Sequence, residues 1–346
     1  MSEQSADGSL ESVHFQNFRV LRDTVLPLTR FTLIVGPNGS GKSTAIQALE
    51  IAGGGNPINR DRAASAGLPE NAEIKVTLKW RATKWHAETS LRWGRSGWGG
   101  RTLKQTHATP AFTDWPATER ALDAKLNSLR SYSLNANAVA EQVGLAPQME
   151  LTNTGAGLAG VLDRLRDEAP ERFEALNAEL ARWLPEFDRI LFATPERGHR
   201  IFLLRTSDEQ HAIPADDLSQ GTVLSLAMLT LAYLPTPPSI VCLEEPDRGI
   251  HPRLLRDVRD ALYRLSFPEE YGEDREPVQV IATTHSPYLL DLFRDHPEQI
   301  VIAEKTGTEA RFERLSDRPD VEEILHDTPL GEAWYSGVLG GVPIER

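Results

Sequence analysis

Hydrophobic and polar positions alternate through "SVHFQNFRVL" (residues 12–21), the period of a strand with one face buried. "RFTLIV" (30–35) is instead a mainly apolar stretch, the mark of a buried strand. "STAIQALEIA" (43–52) changes to helical spacing, with Ile46, Leu49 and Ile51 as its apolar positions. The β-branched and aromatic residues of "EIKVTLKW", "HAETSLRW" and "GRTLKQT" predict an antiparallel meander. From 115 to about 215 the apolar positions Val161, Leu162, Leu165, Phe173, Leu176, Leu180, Trp183, Leu184 and Phe187 recur at helical spacing, and Pro170 and Pro185 punctuate the helices. Beyond 218, helices alternate with two buried strands, "SIVCLEEP" and "VQVIATTHSP", as in a parallel sheet. The acidic stretch between them, "FPEEYGEDREP", reads as a solvated loop.

The expected architecture is α/β, with a mixed or parallel core sheet, an antiparallel meander and a helical subdomain. Residues 1–10 form a flexible tail, 11–114 a first lobe, 115–217 the helical subdomain, and 218–346 the second part of one integrated domain. No internal repeat interrupts this order, and no sustained heptad run predicts a coiled-coil arm.

The chemistry begins where the first buried strand ends. "GPNGSGKST" (36–44) fits G-x-x-x-x-G-K-[ST], with Gly36, Gly41, Lys42 and Ser43 in register. Glycines let successive N–H groups turn inward at a helix N-terminus and so make a concave anion nest. Asn38, Gly39, Ser40, Gly41, Lys42, Ser43 and Thr44 are therefore the candidate ATP-binding residues. Lys42 is placed to reach the β- and γ-phosphates, and the Ser43 hydroxyl to ligate Mg²⁺. "IVCLEEP" ends an apolar strand in two carboxylates. Neighbouring residues at a strand tip point to opposite sides, so Glu244 is assigned to the metal and Glu245 to the attacking water. His285 ends "QVIATTH", where ligands bind in open α/β sheets, and is placed to meet the γ-phosphate or the water. In "DDLSQGTVLSLAML", Ser219 and Gly221 open an apolar helix, either as an anion-binding N-terminus or as an ordinary cap.

The order "GPNGSGKST", "LSQG", "CLEEPDRGIHP", "TTHSP" resembles the ABC-type ATPase clade, and within it the RecF/SMC/OLD-type ATPases. "FQNFRVL" is similar to the opening of that group, and "EEPDRGIHP" to its OLD-like members. "GAGLAGVLDRL" and "GEAWYSGVLGGVP" resemble stand-alone bacterial ATPases of the type. The resemblance implies a P-loop fold of ABC type binding ATP and Mg²⁺, with Glu245 as catalytic base and His285 as γ-phosphate sensor. It also implies a role the spacing alone does not give. Ser219 and Gly221 would contact ATP held by a second protomer, in an ATP-dependent homodimer or higher assembly. The glutamine that usually lies between phosphate loop and signature has two candidates, Gln142 and Gln148. No Toprim-type nuclease domain follows His285, so a separate effector or nuclease protein is the expected partner.

Composition narrows the partners. At 346 residues and net charge −13, the chain is not coated for wrapping nucleic acid. A local basic groove is still compatible with DNA, and "RWGRSGWGGRTLK" (Arg92, Arg95, Arg101 and Lys104, with Trp93 and Trp98) is the candidate. A single cysteine, Cys242, excludes a disulfide framework and, with no spanning stretch or signal peptide, points to the cytoplasm and to no membrane. Two other readings remain at this stage: a nucleotide-binding subunit of a membrane transporter, and an ATP-sensing scaffold with little turnover.

Overall fold

The computed structural model describes residues 8–109, 112, 114–146 and 148–340. Strands β1 (Ser9–Phe18) and β2 (Leu21–Pro27) form a hairpin, and β3 (Phe31–Val35) leads into helix α1 (Lys42–Ala52) and the short α2 (Arg60–Ala63). The meander follows as β4 (Ile74–Arg81), β5 (Trp85–Gly94) and β6 (Gly97–Ala108). Next come α3 (Trp115–Asn127), β7 (Arg130–Tyr132), α4 (Ala136–Ala140), β8 (Val143–Gly144), α5 (Leu158–Glu168) and α6 (Pro170–Trp183). Strands β9 (Phe187–Ala193), β10 (His199–Thr206) and β11 (Ala212–Pro214) precede α7 (Gln220–Tyr233), β12 (Ile240–Glu244) and α8 (Leu255–Ser266). The chain closes with β13 (Gln279–Thr284), α9 (Pro287–Asp291), β14 (Ile300–Thr306), β15 (Glu309–Arg314), α10 (Val321–Asp327) and α11 (Leu330–Tyr335). Among the described residues the longest helices, α6 and α7, have 14 residues, and no helix is long and apolar enough to cross a membrane.

Two compact units divide these elements. The first comprises residues up to 130 together with 238–242 and 276–346. Its antiparallel sheet runs β2-β1-β4-β5-β6. Val13 and Phe15 on β1, with Ile74, Val76, Leu78 and Trp80 on β4, point into the core, while His14, Lys75 and Lys79 face away. Each such side chain, fully buried, contributes roughly 1.5–3 kcal/mol. α1 closes that core through Ala45, Ile46, Ala48 and Leu49, and α3 through Leu122 and Leu126. A six-stranded sheet in the order β15-β14-β3-β13-β12-β7 stands beside it. β3 pairs in parallel with both β13 and β14, whereas β14 and β15 are antiparallel, so the sheet is mixed. β3 and β13 are buried at every position, with Thr32, Gln279, Thr283 and Thr284 buried among their apolar residues.

The second unit comprises residues 131–237 and 243–275. α5 and α6 pack through Leu162, Leu165, Phe173, Leu176 and Leu180, the positions expected from helical spacing. α7 is buried continuously from Thr222 to Tyr233, which explains why its apolar residues surround the helix instead of forming a stripe.

Two local expectations change. Residues 187–214 are not helical: β9 and β10 form an antiparallel hairpin with β11 on its far edge. Phe187 and Ile190 are three apart, a spacing that mimics a helix, but pairing with β10 and the Asp188–Arg205 ion pair (2.8 Å) hold the segment extended. The acidic stretch 267–277 is not simply solvated either. The Glu273 side chain is 12% exposed and is gripped by Arg264 and Arg275. Burial alone would raise the Glu273 carboxyl, but hydrogen bonds from Arg275 and Arg264 outweigh it and hold the pKa below the ordinary range. Arg264 also donates to the Tyr233 hydroxyl, which ties the end of α7 to α8.

Candidate functional site

In the first unit, β3 ends at Val35 beside Thr284 of β13, so Gly36 and His285 leave two adjacent parallel strands at the same end of the sheet. His285 is half-buried there, and Ser286 behind it caps α9 by accepting the Leu289 N–H. The loop 36–41 turns through Gly39 (φ 76°) and Gly41 (φ 92°), and Gly41 is the N-cap of α1. Gly36 admits no side chain, because a Cβ there would lie 2.2 Å from the Ala303 carbonyl oxygen.

The Lys42 ammonium is folded into the loop, donating to the carbonyls of Gly36 (2.7 Å) and Pro37 (2.9 Å). Ser40 is fully buried and its hydroxyl has no hydrogen-bond partner. A cradle of glycines, an orphaned hydroxyl, a buried ammonium and the first N–H groups of α1 form a donor set suited to a polyphosphate. Asn38, Gly39 and Ser43 are exposed at its rim, and Thr44 is half-buried behind them.

The β1–β2 hairpin abuts the loop. The β1–β2 turn presses Leu21 against Gly41 and carries Asn17 (φ 59°) and Arg19 (φ 53°) in the left-handed region, where bulky residues are strained. The Arg19 guanidinium donates to the Arg62 carbonyl (3.0 Å). Burial, and then the neighbouring Arg62 charge, pull the Arg19 pKa below its ordinary value. Neither Arg19 nor Arg62 forms an ion pair among the described residues. Sequence reasoning quoted "FQNFRVL" but gave Arg19 no role. The turn geometry shows an arginine with left-handed backbone and no ion pair among the described residues.

The second unit holds the other predicted residues. Ser219 is the N-cap of α7, its hydroxyl accepting the Thr222 N–H (3.1 Å). Gly221 lies so close to the loop after β12 that a Cβ would meet the Gly249 carbonyl oxygen at 2.9 Å. Glu244 closes β12, and Glu245 follows with φ 49°, a left-handed conformation costing a non-glycine residue about 1–2 kcal/mol. Arg248 approaches Glu245 at 3.8 Å and anchors to the Leu134 carbonyl. Gln142 lines a cavity of about 500 Å³ with Glu141, Asp216, Leu218 and Gln220, whereas Gln148 is exposed.

The proposed basic patch is reduced. The Arg101 guanidinium is engaged by the Ala52 carbonyl, Asp123 and Asn127, and Trp93 is buried with its indole N–H on the Ile58 carbonyl. Arg92, Arg95, Lys104 and Trp98 remain exposed.

Residues 31–291 match the family described as "AAA domain, putative AbiEii toxin, Type IV TA system". The chain belongs to this family. It is also similar to the OLD nuclease of Thermus scotoductus, at 23% identity over 93% of this chain and 67% of that protein. The Old nuclease of Escherichia phage P2 is 22% identical over 91% of this chain, which spans only 62% of the phage protein's length. Among solved structures, an SMC head bound to the C-terminal winged-helix domain of ScpA superposes with a TM-score of 0.62 at 14% identity, covering 88% of this chain and 96% of that one. Together these define an ABC-clade P-loop ATPase of the RecF/SMC/OLD type, a family whose fold implies a bound nucleotide and usually Mg²⁺.

Proposed function

We propose that this ATPase is a switch that closes as a homodimer around ATP and Mg²⁺ and opens on hydrolysis. The orphaned Ser40 hydroxyl and the Lys42 ammonium turned into the glycine loop carry this reading, because they are the donors a polyphosphate requires. Residues 38–44 bind the phosphate chain. The Lys42 ammonium supplies a charge-assisted hydrogen bond to the phosphate oxygens. Ser43 and Glu244 would hold the metal, which supplies charge neutralisation to the phosphates. Glu245 accepts a proton from the attacking water, and its left-handed backbone fixes where the carboxylate points. His285 donates toward the γ-phosphate from the adjacent strand.

Ser219 and Gly221 contact ATP on the second protomer, so the sites form only in the closed dimer. A partner with different affinity for the two states reads out the change. That partner is a separate effector or nuclease protein, acting with or without DNA in repair or anti-phage defence, in the cytoplasm. The names of the OLD nuclease relatives, and the ScpA domain on the SMC head, support a partner-directed role. Phosphate-release kinetics test the enzymatic part: Lys42→Ala and Glu245→Gln should each lose at least about tenfold in turnover. Turnover at the parental rate in both would reject it.

A further inference from the structure

Hairpin β14–β15 covers the phosphate loop. β14 runs beside β3 until Ile302 meets Val35, and then continues past the end of β3. Side chains alternate along a strand, so Ala303 and Lys305 share a face, and Ala310 stands opposite Lys305 in the hairpin. This row follows the loop residue by residue. The Ala303 side chain lies 2.9 Å from where a Gly36 Cβ would be, the Lys305 ammonium 3.6 Å from that of Gly39, and the Ala310 side chain 3.4 Å from that of Gly41. The Ala310 N–H also donates to the Val20 carbonyl, which fastens the hairpin to the β1–β2 turn. Lys305 is exposed and has no ion pair among the described residues. The nearest acids in sequence are turned elsewhere: Glu304 lies against Gly340, and Glu309 faces Arg311 at 4.0 Å.

An unpaired ammonium beside the glycine tip of an anion nest raises the potential where a phosphate sits. We propose that Lys305 is a second lysine of the nucleotide site, binding the phosphate chain held by residues 36–43. This rests on reading that loop as a nucleotide site. β14 delivers this charge beside Gly39, so the loop meets a second ammonium as well as that of Lys42.

The test is equilibrium titration of the full chain with a fluorescent ATP analogue, at low and high salt, using Lys305→Ala, Lys305→Glu, Lys305→Arg and Lys42→Ala. Lys305→Ala should weaken binding by about fivefold at low salt, as expected for one partly solvated charge contact. Lys305→Glu should weaken it further, Lys305→Arg should bind nearly as the parent, and the deficits should shrink at high salt. Thermal melting should be unchanged, since the side chain is exposed. Parental affinity in Lys305→Glu, with binding lost in Lys42→Ala, would overturn this inference alone. Parental affinity in Lys42→Ala as well would overturn the nucleotide reading beneath it. Retained affinity in Lys305→Ala with loss of ATP-dependent dimer would also overturn it, by assigning the lysine to the second protomer.

Discussion

Gly221→Ala offers a quantitative test of how the signature helix is seated. The added methyl would lie 2.9 Å from the Gly249 carbonyl oxygen, where ordinary contact begins near 3.4 Å. The obstacle is backbone, and Gly249 is itself fixed at φ 77° in the loop that follows the two glutamates. Moving it by about half an ångström is overpacking, which costs about 1–3 kcal/mol. Alanine in the first turn of α7 recovers at most about 1 kcal/mol of helix propensity. The net expectation is a loss of about 0–3 kcal/mol, seen by calorimetry as a Tm lowered by no more than about 4 °C. Hydrolysis should fall much further, because the carbonyl that must move lies four residues after the proposed base. Nucleotide binding, assigned to the first unit, should be untouched. A Gly221→Ala protein with parental Tm and parental turnover would refute the reasoning.

Other perturbations separate strain, charge and chemistry. Glu245→Gly removes a left-handed glutamate, so it should leave stability unchanged or raise it by about 1 kcal/mol while abolishing phosphate release; a clear drop in Tm would show that the backbone is not strained. Glu273→Gln leaves Arg264 and Arg275 without their shared carboxylate and should cost about 1–3 kcal/mol at neutral pH. The folded-state pKa of Glu273 is depressed, so this stabilisation is present above the unfolded value near 4.3 and is lost as pH falls through the folded one. Melting curves of parent and variant should therefore converge below about pH 4, and a constant gap would assign the loss to packing. His285→Ala should keep ATP affinity within about threefold and lose most of its turnover; parental turnover would return His285 to a purely structural place.

The phosphate loop was legible because its conformation is encoded locally: glycines sit where φ is positive, and a buried strand and a helix flank them. The strands leading to Glu244 and His285 were legible from their apolar stretches, 240–243 and 280–282, which mark burial on both faces. Ser219 reads from sequence as either cap or anion site, and its hydroxyl accepts the Thr222 N–H at the start of α7. What escaped depends on partners distant in sequence. Phe187 and Ile190 have helical spacing but pair with β10. Arg101 and Trp93 look like a basic aromatic patch but are taken up by α1, α3 and the core. Glu273 looks solvated until Arg264 and Arg275 reach it. Lys305 belongs to no motif, and only the hairpin that carries it brings its charge to the loop.

The central claim is that ATP closes two copies of this chain, with Ser219 and Gly221 of one completing the site of the other. Light scattering after size exclusion of Glu245→Gln, with and without Mg·ATP, measures it most directly. The account predicts a change from the 38.4 kDa monomer to twice that mass on adding ATP, and its loss when Ser219→Arg is added. A mass that stays at the monomer value in saturating ATP, or a dimer indifferent to Ser219→Arg, would contradict it.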